Sequence, residues 1–186
     1  GMVASKELIE TIADALITYK AKNIVLDPVM VSTSGSRLIK EDAAEVLKER
    51  LMVLADVITP NIPETEVLTG MTVDSADSME KAAIKIYEHL KTKGGNAAVL
   101  VKGGHAVHTA NDCLCVDGRI VWLNGERIDN PNTHGTGCTL SSAIAANLAQ
   151  GLSIEESVKA AKEYLTGVLK AGLNLGSGSG PLDHTY

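Results

Sequence analysis

Asn132-Thr133-His134-Gly135-Thr136-Gly137-Cys138 is the stretch whose residue types and spacing could do chemistry. Gly135 and Gly137 permit backbone conformations that a side chain forbids. A small, alanine-rich helical pattern follows at once, from Thr139 through Ala146. A glycine loop opening a helix aims N–H groups and the positive end of the helix dipole at one point, which makes an anion site. Cys138 falls in the first turn of that helix, where the same field favours thiolate over thiol. A proton acceptor and an oxyanion cradle within one turn suit phosphoryl transfer. The amides of Gly135, Thr136, Gly137 and Cys138 would then surround the phosphate. An ordinary glycine turn before a buried helix, with Cys138 as a small hydrophobe, shows the same local pattern.

The elements that must position this loop are short apolar strands alternating with helices. Asn23 to Asp27 reads as a buried strand that Pro28 stops, leaving the Asp27 carboxylate at its C-terminal end. Open α/β sheets bind ligands at that end, so Asp27 is a candidate for ligand or metal contact, with a helix or turn cap as the alternative. Ala55 to Thr59 is a second such strand, ended by Pro60 and followed by Asn61 and Glu64. A hard cation such as Mg²⁺ takes oxygen ligands and keeps waters, so one or two such carboxylates suffice. Asn61 capping the next helix, with Glu64 three residues on, is an equal and compatible reading. Ala97 to Val101 is the clearest buried strand, and Lys102 beside Gly103 and Gly104 can approach phosphate oxygens as a point charge. His105 and His108 read as surface loop histidines without chemistry.

Helical spacing of apolar residues marks Ser5–Tyr19, about 40–51, 63–69, 79–93 and a last helix from Ser153 to about Ala171 that carries Lys162. Pro63 near the start and Gly70 after the end follow the usual asymmetry of helix termini. Residues 112–116 and 119–123 alternate around Asp117-Gly118, the signal of a hairpin added at one sheet edge. Val31 to Ser36 reads as a polar loop, and Gly176 to Pro181 as a flexible closing segment. Residues 1–186 therefore read as one α/β domain with a mostly parallel sheet flanked by helices.

Composition narrows the function classes. Hydrophobic residues make up 45% and charged residues 22%, ordinary for a globular protein, and the absence of phenylalanine makes the core aliphatic. The net charge of −6 is interspersed, which argues against a nucleic-acid or anionic-membrane partner. No apolar run approaches the roughly 18 residues of a membrane span, and the first residues lack signal-peptide character. Cys113 and Cys115 fall on one face of a strand without zinc-ligand spacing, so three reduced cysteines in a cytoplasmic protein are expected.

Five motifs occur in order: Asp27-Pro28-Val29-Met30, Thr59-Pro60-Asn61-Ile62-Pro63-Glu64, Val101 to His105, Thr133 to Thr139, and Gly178-Ser179-Gly180-Pro181-Leu182-Asp183-His184. Together they resemble the hydroxymethylpyrimidine and phosphomethylpyrimidine kinases of thiamine synthesis, within the ribokinase-like superfamily. The resemblance implies that Cys138 is the base taking the substrate's proton, where most sugar kinases of the superfamily have Asp. It implies that Gly135, Thr136 and Gly137 form the anion hole and that Asp27 and Glu64 lie near Mg²⁺, the second through water. Lys102 and Lys162 match ATP-contacting lysines, with Asn61 on the nucleotide side, and the backbone around Met2 and Val29 resembles part of the pyrimidine pocket. A homodimer, ATP and a pyrimidine alcohol or its phosphate are the implied partners. The resemblance also implies a further N-terminal segment, with strand ends that hold the pyrimidine. The 186 residues are accordingly expected to be a fragment or short form that keeps the nucleotide half. Pyridoxal kinase, or a nucleotide-binding module without turnover, are the alternative functions.

Overall fold

The computed structural model describes residues 2–31, 38–104, 110–128, 130, 134–172 and 180–185. The loop 32–36, His105, His108, Asn132, Thr133 and the glycine-rich stretch 176–179 lie outside the described residues.

Helix α1 (Lys6–Thr18) opens at Ser5, whose Oγ accepts from the Leu8 amide, so one orphan donor of the first turn is satisfied. Strand β1 (Val25–Leu26) follows, then α2 (Glu41–Val46), which widens into a π-helical turn over Leu47–Leu51 and tightens over Met52–Leu54. One regular helix is expected there; the widened turn instead buries Leu47, Leu51 and Met52 together. Next come β2 (Val57–Ile58), α3 (Ile62–Thr69), α4 (Ala76–Thr92) and β3 (Ala98–Val101). Helix α4 begins three residues before the expected Met79, because Ser75 and Ser78 cap each other reciprocally. The hairpin β4 (Asp112–Val116) and β5 (Arg119–Leu123) turns at Asp117 and Gly118, both at positive φ. Helices α5 (Thr136–Ala149) and α6 (Ile154–Ala171) complete the order.

The strands lie in sequence order, β1-β2-β3-β4-β5. The pairings β1·β2 and β2·β3 are parallel; β3·β4 and β4·β5 are antiparallel. The sheet is thus mixed, with its parallel part confined to the strands that carry Asp27, Asn61 and Lys102 at their ends.

Alternation along β3 divides the core. Val99 and Val101 join Ile9, Ala13, Leu47, Ala82, Ile86 and Leu90 from α1, the turn after α2 and α4. Ala98 and Leu100 face the other way, onto Leu140 and Ile144 of α5 and Val158 and Ala161 of α6. Both faces are therefore covered, as an apolar parallel strand requires. Each fully buried Leu or Ile contributes roughly 2 kcal/mol of transfer free energy. Helices α5 and α6 pack on each other, and α5 reaches β1. This packing carries the start of α5 to the ends of the parallel strands. No helix among the described residues is long and apolar enough to cross a membrane.

Candidate active site

Asp27 leaves the sheet where Pro28 cannot continue the ladder. Its Oδ1 accepts from Lys102 Nζ at 2.7 Å and from the Thr59 hydroxyl at 3.2 Å. Three strand ends thereby converge on one carboxylate. Lys102 is set by its own backbone, whose N–H donates to the Pro60 carbonyl at 2.8 Å and whose register places it beside Asn61. The pair is recessed, with side chains 17% and 15% exposed.

Helix α5 meets this pair at Gly137. A Cβ there would stand 3.0 Å from Asp27 Oδ2 and 3.6 Å from Lys102 Nζ, so the backbone comes close only because residue 137 has no side chain. Gly135 caps the helix in the left-handed conformation, at φ 84°, and no side-chain oxygen caps it. By contrast α1, α3, α4 and α6 are each capped by a Ser or Asn. The N-terminal dipole of α5 is thus directed at the strand ends without a protein oxygen from its own cap. Cys138 is the third helical residue, and its side chain is exposed.

Glu64 lies one layer deeper. It is buried, and its carboxylate accepts from the amides of Asn61 (2.9 Å) and Met30 (3.4 Å). Asn61 Oδ1 in return accepts from the Glu64 amide at 2.8 Å, so the capping box and the strand-end carboxylate are one arrangement. Burial raises the Glu64 pKa, and the Asp27 charge adds to the rise, while the Asn61 and Met30 amides and the Lys102 charge oppose it. That coupling places the two carboxylates within electrostatic reach of each other. Among the described residues no group of three or more His, Cys, Asp or Glu gathers as a closed metal cage. Two coupled carboxylates near a helix N-terminus instead fit a hard cation that keeps waters and shares phosphate oxygens.

Lys162 lies at the same end of the sheet in a different setting. Its ammonium donates to the Ala110 carbonyl at 2.8 Å and to Asp112 Oδ2. Asp112 Oδ1 accepts from the Gly103 amide at 2.8 Å, which ties α6 to the residue after Lys102. Val29 stands two residues from Asp27, its N–H donating to the Asp27 carbonyl, whereas Met2 is 54% exposed at the chain start. The structure therefore brings together Asp27, Asn61, Glu64, Lys102 and Gly137, and pairs Lys162 with Asp112 instead.

Sequence reasoning gave no role to Asp112 or Tyr164, nor to Thr59 and His184 beyond their place in motifs. Thr59 carried a signal, standing directly before Pro60 at a strand end. Asp112 carried another, an acid on a strand of otherwise apolar residues. Tyr164 and His184 line an open cleft with Cys138, Thr139, Ser142 and Ala143, and nothing local in the sequence joins them.

The phosphomethylpyrimidine kinase family profile matches residues 1–183. A hydroxymethylpyrimidine/phosphomethylpyrimidine kinase of Streptomyces coelicolor is 44% identical over 186 residues, covering all of this chain and 67% of that protein. Among solved structures, an ADP complex of Bacillus subtilis pyridoxal kinase superposes with a TM-score of 0.88 at 37% identity, over all of this chain and 68% of that one. A phosphomethylpyrimidine kinase of Clostridium difficile superposes with a TM-score of 0.74 at 40% identity, over 90% of this chain and 66% of that one. The chain spans about two thirds of the length of these relatives.

Proposed function

The chain belongs to the phosphomethylpyrimidine kinase family, whose fold is ribokinase-like and whose members are phosphotransferases, and from that premise we propose the chemistry of its site. The proposed reaction moves the γ-phosphoryl group of ATP to the hydroxyl of hydroxymethylpyrimidine, and to its monophosphate, in thiamine biosynthesis. The single observation that carries this reading is the meeting of Gly137 with the Asp27–Lys102 pair.

In this reading the first-turn amides of α5, from Gly135 to Cys138, and the Lys102 ammonium surround the transferring group. They offset the charge that develops on its oxygens. Lys102 exchanges Asp27 for phosphate oxygen as nucleotide arrives, and Asn61 lines the nucleotide side beside it. Asp27 and Glu64 would hold Mg²⁺, which would supply Lewis-acid neutralisation of the phosphate oxygens. Cys138 takes the proton of the substrate hydroxyl as the new P–O bond forms. Lys162, held by Asp112, supports the nucleotide side through Gly103. Val29 and Met2 contribute backbone to the pyrimidine pocket. The enzyme acts as a homodimer in the cytoplasm in this account, which light scattering across a dilution series checks for the dimer.

The test is product formation: ATP, Mg²⁺ and hydroxymethylpyrimidine incubated with the 186-residue chain, with phosphorylated pyrimidine detected by mass spectrometry. Phosphopyrimidine supports the reading; nucleotide binding without product leaves a binding module. Pyridoxal is the second substrate to try, because a pyridoxal kinase superposes on the whole chain. Competition between the two alcohols at one site separates the preferences.

A further inference from the structure

The cleft beside the start of α5 has three walls. Cys138, Thr139, Ser142 and Ala143 come from α5, Tyr164 from α6, and His184 from the C-terminal segment. Leu182 is buried and fixes that segment two residues before the histidine. The Tyr164 hydroxyl and His184 Nδ1 lie 3.2 Å apart. Their rings stack with centroids 6.4 Å apart and planes inclined by 19°. The imidazole is therefore held at Nδ1, in the same cleft as the exposed thiol.

A free cysteine titrates near 8.5, about two pH units above imidazole, so near neutrality a thiol needs a proton acceptor to become a thiolate. Among the described residues lining the cleft, His184 supplies the imidazole, a side-chain type able to accept that proton. Among the described residues, Tyr164 from α6 meets His184, Asp183 precedes it on its own segment, and Cys138 from α5 lines the same cleft. The Asp183 carboxylate accepts from the Thr185 amide (2.9 Å) and hydroxyl (2.6 Å).

We infer that His184 is a positioning residue for Cys138, taking the thiol proton onto its ring and being held in place by Tyr164. The S–H bond breaks and an N–H bond forms, with no change of oxidation state. With Nδ1–H donating to the Tyr164 oxygen, the exchange falls to Nε2. The thiolate then accepts the substrate's proton, and the imidazolium returns its own to water, which resets the pair. This role rests on the proposed function for its purpose, and its test does not require turnover.

The experiment is the rate of iodoacetamide alkylation against pH, on the full chain, with the modified peptide located by mass spectrometry. Cys113 and Cys115 are buried, and burial pushes the Cys113 thiol up to about 12, so the native protein reports on Cys138. At about pH 6.5 the wild type should react at least about tenfold faster than His184→Asn, which should follow one ordinary thiol titration. Tyr164→Phe should fall between the two. Superposable profiles for wild type and His184→Asn overturn the inference. Should His184→Asn fail to fold, the His184 imidazole is titrated by NMR before and after alkylation of Cys138. A midpoint that falls on alkylation supports the coupling, and an unmoved midpoint overturns it. Coupling without phosphorylated product would sink the proposed activity alone; product with superposable profiles would sink this inference alone.

Discussion

Lys102 with Asp27 and Lys162 with Asp112 pair the same two residue types, at the same end of the sheet, with side chains between 9% and 17% exposed. They differ in what else each partner holds. Asp112 also takes the Gly103 amide, and Lys162 also serves the Ala110 carbonyl, so that pair closes α6 onto the loops around the hairpin. Among the described residues Asp27 takes one further hydrogen bond, from the Thr59 hydroxyl, and its second oxygen faces the Gly137 backbone. A paired charge whose surroundings are completed by the protein holds structure. A paired charge that faces a helix N-terminus can trade its partner for an arriving anion.

Breaking each pair from its lysine side sharpens the contrast most. Lys102→Met should lower phosphoryl transfer by about 10²–10³, with an unfolding free energy within about 1–2 kcal/mol of wild type by urea titration. Equal losses of stability and activity would dissolve the distinction. Lys162→Met strands the buried Asp112 charge and should lose about 3 kcal/mol of stability, with turnover per folded molecule within about threefold. Gly137→Ala is a subtler break. Its methyl group crowds Asp27 Oδ2 and should lower turnover about tenfold, while helix propensity keeps stability level or raises it by about 0.5–1 kcal/mol.

Glu64→Gln is the smallest expected effect and the one that depends on pH. Burial raises the Glu64 pKa in the folded chain above its unfolded value. The folded state therefore prefers the protonated form, whose stability contribution is complete below the unfolded pKa and is lost as pH rises through the folded one. Gln mimics that protonated form and can still cap. The variant should match wild type in mildly acidic urea titrations and exceed it near neutrality. A variant that loses stability equally at both pH values would contradict this account.

Local chemistry made much of the fold legible. The Ser5, Asn61 and Ser153 caps, the Gly70 stop of α3 and the Asp117-Gly118 hairpin are written in adjacent residues. The strand-end candidates Asp27, Asn61, Glu64 and Lys102 were legible for the same reason, since each follows an apolar run that a proline or glycine stops. What joins them was not. Asp27 and Lys102 are 75 residues apart, and Lys162 and Asp112 are 50 apart, so no local period reports which lysine meets which acid. The likeness in type that led both lysines to be read alike is what tertiary packing resolves. The widened turn at Leu47–Leu51 was hidden for a related reason: its apolar spacing fits a regular helix, and the core decides the pitch.

The most direct test of the central claim, that the Asp27–Lys102–Gly137 junction receives phosphate, is calorimetric titration of Mg·ATP into wild type, Lys102→Met and Lys162→Met. Each protein is held at a temperature where circular dichroism shows it folded. The account predicts affinity at least about tenfold weaker for Lys102→Met, and within about twofold of wild type for Lys162→Met. Undiminished affinity in Lys102→Met, with loss in folded Lys162→Met, would contradict it and move the nucleotide phosphates to the other pair.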